Sequence, residues 1–153
     1  MMFTLLWVED DPDDILLGER ALAKAGFETL RIVRDGDQAI SYLGGKGEFS
    51  DRTRFPIPSL VLLDLKLPRK SGFEVLRWIR GAGGPRRMPV VILTSSQEQR
   101  DIDRAYDDGA NAYLVKPVDT RTFAEMVSGL HHFWALLNRN PEGVPEQSRL
   151  SSL

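Results

Sequence analysis

Five short apolar runs divide the chain at intervals: FTLLWV at 3–8, ETLRIV at 28–33, SLVLL at 59–63, PVVIL at 89–93 and AYLV at 112–115. Most are continuous rather than alternating, the pattern of strands covered on both faces, and segments of helical character separate them. Strands that alternate with helices imply consecutive right-handed crossovers in a parallel sheet. The expected fold is therefore α/β: a five-stranded parallel sheet with helices on both faces, doubly wound. The first helix has a strong start. Asp11 is placed as N-cap, Pro12 at the first helical position, and Asp13 and Asp14 in the first turn. Ile15, Leu22 and Ala25 then recur at helical spacing until Gly26. Further helices are predicted over 37–43, 71–80 with Ser71 as cap, 97–108 and 120–137.

With 153 residues, 42% hydrophobic and 27% charged, the chain has the length and balance of one globular domain. A net charge of -2 gives no bulk electrostatic reason to favour nucleic acid or an anionic membrane, so neither is expected as a direct partner. The absence of cysteine excludes disulfides, thiol catalysis and thiolate zinc sites, and it fits a reducing compartment. MMFTLLWVEDD has no basic region ahead of its apolar stretch, which ends in three acids, and no run approaches the roughly 18 residues of a membrane span. A cytoplasmic location is the expectation. The domain is expected over 1–137, followed by a flexible C-terminal tail over 138–153 that is rich in Pro, Ser and Gly and far too short for an output domain.

Ligands of doubly wound sheets bind beyond the carboxyl ends of the strands. Just past those ends lie Glu9, Asp10 and Asp11, then Asp64, Thr94 and Lys116. Carboxylates brought close together repel, and the usual resolutions are a shared proton or a hard divalent cation. Mg2+ suits Glu9, Asp10 and Asp64, because it accepts one or two carboxylates and keeps positions for water and phosphate oxygens. Asp64 then becomes a candidate nucleophile towards phosphorus, with Lys116 offsetting charge and Thr94 donating its hydroxyl. Taken singly these residues have plainer readings. A strand-end Asp often serves a turn, Asp11 reads as a cap rather than a ligand, and Tyr113 as an isolated residue reads first as core at the sheet edge. Pro85-Arg86-Arg87 reads as a solvated connection, and the adjacent His131 and His132 face different sides of a helix, which excludes a metal pair there.

V-E-D at 8–10, LLDLKLP at 62–68 with Ser71-Gly72, VILTS at 91–95 and YLVKP at 113–117 together resemble the receiver domain of two-component response regulators, in the right order, from about residue 3 to 134. The resemblance implies a flavodoxin-like fold and a phosphoacceptor at Asp64. It also implies an acidic pair in which Asp10 binds the metal directly and Glu9 acts mainly through water, and it makes the Lys66 backbone carbonyl a further ligand. Thr94 and Tyr113 become the switch pair, and Lys116 precedes a cis bond to Pro117. The long polar connection from Gly44 to Pro58 and the ending HHFWALL narrow the likeness to single-domain receivers paired with phytochrome-type sensor histidine kinases. Trp7 departs from the small aliphatic residue usual in the first strand. Lys66 and Ser96, each two past a site residue, are placed to gate water and set the lifetime of the phosphoaspartate.

The function expected is acceptance of a phosphoryl group from a sensor histidine kinase onto Asp64, followed by signalling through protein contact. Such a chain is not an enzyme beyond self-phosphorylation and autodephosphorylation. Two alternatives compete. A phosphorylation-independent scaffold would have no chemical need for the acidic set, and a phosphohydrolase of the haloacid dehalogenase type needs a second Asp two positions after the nucleophile, where this chain has Lys66. In the last helix Phe123, Val127, Leu130, Trp134 and Leu137 follow one face, while Met126, Phe133 and Leu136 widen it. A homodimer through Phe133, Trp134 and Leu137 is expected.

Overall fold

The computed structural model describes residues 3–146. Its strands are β1 (Thr4–Val8), β2 (Thr29–Val33), β3 (Leu60–Leu63), β4 (Val90–Thr94) and β5 (Ala112–Val115). Its helices are α1 (Pro12–Ala25), α2 (Gly36–Leu43), α3 (Gly72–Arg80), α4 (Gln99–Asp107) and α5 (Thr120–Leu130). All neighbouring strands pair in parallel, in the order β2-β1-β3-β4-β5. The winding reverses at β1, which puts the switch point between β1 and β3.

Alternation along each strand divides the core into two layers. Leu6, Val8, Val61, Leu63, Val90 and Ile92 pack towards α2, α3 and α4. Leu5, Trp7, Leu60, Leu62, Val91 and Leu93 pack towards α1 and α5. The inner strands β1, β3 and β4 are buried throughout, so their sequences show continuous apolar runs instead of a polar face.

Local chemistry fixes the helix ends that face the site. The Asp11 carboxylate accepts the backbone N–H groups of Asp13 and Asp14, and α1 ends at Gly26, whose φ of 116° is left-handed. Ser71 caps α3 through the N–H of Glu74. The next residue, Gly72, allows α3 to start directly beneath the phosphoacceptor loop: a Cβ there would lie 2.1 Å from the Asp64 carbonyl oxygen.

Three segments differ from the expectation. Within the polar connection 44–58, a 3₁₀ turn at Gly47–Ser50 buries Phe49 against Tyr42 and Phe55, and Arg52 donates to the carbonyls of Tyr42, Leu43 and Phe55. The last helix does not continue as α to 137: from His131 to Leu137 it widens into a π-helix, closed by Asn138 N–H donating to the Phe133 carbonyl at 2.7 Å. The wider turn moves the next inward position from 134 to 135. Ala135 is buried, Trp134 is half-buried, and Leu137 turns outward. Finally, the part of the tail within the described residues is anchored. Asn140 Nδ2 donates to the Ser59 carbonyl at 3.1 Å and Val144 packs against the α2–α4 layer, while residues 147–153 lie outside the described residues.

Candidate functional site

The loops after β1, β3, β4 and β5 bring the expected residues to one sheet edge. Oxygens of Glu9, Asp10 and Asp64 lie within 4.8 Å of one another. Lys116 reaches in from the end of β5. Its Nζ lies 2.6 Å from Glu9 Oε1, 3.0 Å from Asp64 Oδ2 and 2.9 Å from Asp14 Oδ2. The Glu9 contact is the shortest of the three, and Asp64 and Asp14 accept aligned bonds from the same ammonium. Glu9 also accepts the N–H of Asp11 through Oε2, and Asp64 Oδ1 accepts the Lys66 N–H at 3.3 Å.

Burial differs sharply around this ring. Glu9 is fully enclosed, Asp64 is nearly so, and Asp10 is exposed. Burial pushes the Glu9 carboxyl up to about 7, against the pull of the Lys116 ammonium and with the help of the Asp64 charge. Burial alone would lower the pKa of Lys116, but Glu9, Asp14 and Asp64 overcome it and hold the ammonium above its ordinary value. Three clustered carboxylates set against a single ammonium have an excess of negative charge. That donor set fits a hard divalent cation bound through oxygen.

Thr94 stands at the end of β4 with its Oγ1 buried and without a hydrogen-bond partner among the described residues. A buried orphan hydroxyl is costly unless a ligand completes it. Tyr113 is half-buried, its hydroxyl donates to the Ser96 carbonyl at 3.0 Å, and burial raises its pKa, so it stays protonated at neutral pH. Ser96 Oγ donates to Asp101 at 2.6 Å, and the Lys66 side chain is exposed.

One site residue escaped the sequence reading. Asp14 reads there as a first-turn acid favoured by the helix dipole, yet its carboxylate also grips Lys116 across 102 residues of chain. Its signal was available: Asp14 lies in the first turn of the helix that starts directly after the acidic strand end. The expected cis Lys116–Pro117 bond is corrected, because no peptide bond among the described residues is cis. Trans is the intrinsically preferred X–Pro isomer by roughly 0.5–1 kcal/mol, and the next residue, Val118, is fully exposed. Neither His131 nor His132 belongs to the site: His131 packs edge-on against Phe27 with ring centroids 4.9 Å apart, and His132 is exposed.

Similarity to known proteins follows this geometry. The response regulator receiver domain family matches residues 5–128. The probable methanogenesis regulatory protein FilR2 of Methanothrix harundinacea is 38% identical over 91% of this chain and 88% of its own. Response regulator Rcp1 of Synechocystis is 37% identical over 85% of this chain and 87% of its own, and the structure of its Mn2+-bound form superposes with a TM-score of 0.80. The phosphorylated cyanobacterial phytochrome response regulator RcpA is 35% identical, covers 93% of this chain and 100% of its own, and gives a TM-score of 0.85. With four strand-end motifs meeting at one edge and the family match spanning most of the sheet, this chain belongs to the response regulator receiver domain family.

Proposed function

We propose that Asp64 is the phosphoacceptor, that it takes its phosphoryl group from a sensor histidine kinase of the phytochrome type, and that Mg2+ is the working cation. The observation that supports this best is the shared ammonium: Lys116 bonds Asp64 while Thr94, across the same edge, has a buried hydroxyl with no partner among the described residues. An Asp64 oxygen attacks phosphorus as the bond from phosphorus to the histidine nitrogen breaks, and the imidazole leaves with that electron pair. Lys116 offsets charge on the phosphoryl oxygens, and Thr94 donates its hydroxyl to one of them. Glu9, Asp10, Asp64 and the Lys66 carbonyl would hold the cation, which when bound supplies further neutralisation of the phosphoryl charge. The chain thus acts as a signalling phosphoacceptor rather than as a turnover enzyme.

The partner assignment draws on the likeness to RcpA, a cyanobacterial phytochrome response regulator, and on the length of that match. Thr94 and Tyr113 serve as the switch pair: once Thr94 bonds the phosphoryl group, the Tyr113 hydroxyl exchanges its Ser96 partner and alters the α4–β5 surface. Output then passes through protein contact, with a homodimer formed around Phe133, Trp134 and Leu137. No helix among the described residues is long and apolar enough to cross a membrane, and a cytoplasmic site of action is part of the proposal.

The test is incubation with Mg2+ and a small acyl phosphate, followed by intact mass. The wild type gains one phosphoryl group and Asp64→Asn gains none; a gain that survives in Asp64→Asn refutes the assignment. Transfer from a phytochrome-type kinase, compared with an unrelated histidine kinase, tests the partner.

A further inference from the structure

The Lys116 ammonium has three N–H donors, and three carboxylates surround it: Glu9, Asp14 and Asp64. A phosphoryl oxygen arriving at Asp64 can be served by Lys116 only if one carboxylate gives way. The three are not equally free to do so. The side chains of Glu9 and Asp64 are 0% and 7% exposed, so water has no room to take the place of the ammonium at either one. Asp14 is 41% exposed and stands outside the carboxylate cluster, so water replaces the ammonium there at small cost.

We propose that Asp14 is a positioning residue for Lys116: it holds the ammonium towards α1 in the resting protein and is the partner that releases it to the phosphoryl group. The inference rests on Asp64 being the phosphoacceptor. Asp14 is also the only one of the three partners carried by a helix instead of a strand end. It lines, with Lys116, Leu17, Val118 and Phe123, a groove of about 150 Å³ between α1 and the loop that enters α5. Release of the ion pair therefore changes the charge at the mouth of that groove, on the side of the sheet that carries α1 and α5.

As a resting partner, Asp14 both competes for the cation and adds negative charge beside an incoming anion. The test compares Asp14→Asn with Asp14→Glu and with Asp13→Asn, which removes the neighbouring exposed first-turn charge without touching Lys116. Phosphorylation by acetyl phosphate with Mg2+ is measured against donor concentration. In Asp14→Asn the half-saturating donor concentration falls about fivefold while the maximal rate stays within about twofold. Asp14→Glu restores the wild-type value, and Asp13→Asn matches wild type.

A second readout does not need phosphorylation: the side-chain ammonium resonance of Lys116 in proton–nitrogen NMR. It is protected from exchange with water in wild type and in Asp13→Asn, and it broadens in Asp14→Asn. An unchanged resonance in Asp14→Asn overturns the proposal. So does an Asp13→Asn shift in donor dependence as large as that of Asp14→Asn, or a fall in maximal rate matching Lys116→Met. If wild type takes up no phosphoryl group, the phosphoacceptor reading fails, and the claim that Asp14 releases Lys116 to a phosphoryl group fails with it; the resonance still decides whether Asp14 holds the ammonium.

Discussion

Trp7 occupies the space that a side chain at Gly18 would need. A Cβ built on Gly18 would lie 2.2 Å from Trp7 Cη2, so the indole of β1 and the bare backbone of α1 are fitted to each other. Trp7 is 1% exposed despite its size, which answers the packing question raised by a large aromatic in the first strand.

Gly18→Ala therefore sets helix propensity against overpacking. Propensity favours Ala by about 1 kcal/mol, whereas forcing a methyl group into a filled core costs about 1–3 kcal/mol and here meets a rigid ring. The expected outcome is a net loss of about 1–2 kcal/mol in urea unfolding, partly recovered in the double variant with Trp7→Leu. Additive losses in the double variant would show that the two positions are not coupled.

Excess negative charge at the sheet edge makes stability depend on divalent cations. A ligand that binds the folded state alone stabilises it by about 2.7 kcal/mol at a hundred times its dissociation constant. Mg2+ is expected to raise the urea midpoint of wild type, chelation to reverse the rise, and Asp10→Asn to abolish most of it.

His131 gives a separate acid sensitivity. Packing against Phe27 buries the ring and lowers its pKa, opposed by Gly26 and by the charge of Glu28, and aided by His132. The unfolded chain thus binds this proton more readily, so the contribution of His131 is complete above about pH 6.5 and is lost as pH falls through the folded value. Between about pH 7.5 and about pH 5.5, wild type should lose more stability than His131→Phe. Equal losses would assign the acid sensitivity to other groups.

Past the π-helix, Phe133 and Leu137 are 50% and 57% exposed, with Leu136 beside them. An apolar face of this kind favours self-association. Sedimentation at micromolar concentration is expected to give a dimer for wild type and a monomer for Phe133→Asp or Leu137→Asp, with folding stability nearly unchanged because neither side chain is in the core. A wild-type monomer with and without phosphorylation would remove the proposal.

Much of this fold was legible in the sequence because its signals were local and redundant. Five apolar runs fixed five strands, Asp11 and Gly26 fixed α1, and the strand-end rule led to Glu9, Asp10, Asp64, Thr94 and Lys116. What escaped depended on distance or on small differences in winding. The connection from Gly44 to Pro58 looked polar because Phe49 and Phe55 stand at no regular spacing, yet they meet over Tyr42. A π-turn differs from an α-turn by less than one residue, so Ala135 and Trp134 exchange roles with no change in composition. Asp14 had a sufficient local explanation, which concealed its distant one.

Asn140 ties the chain to Ser59, which precedes β3, while Asp64 follows it. The four residues of β3 separate the two, which is five steps of about 3.3 Å or about 16 Å. Glu146, which accepts the Asn140 N–H, accordingly lies towards the amino edge of the sheet, at the opposite end of β3 from Asp64. A fluorophore attached within 140–146 therefore sits clear of the edge that carries Asp64, which makes that stretch the natural place for a reporter.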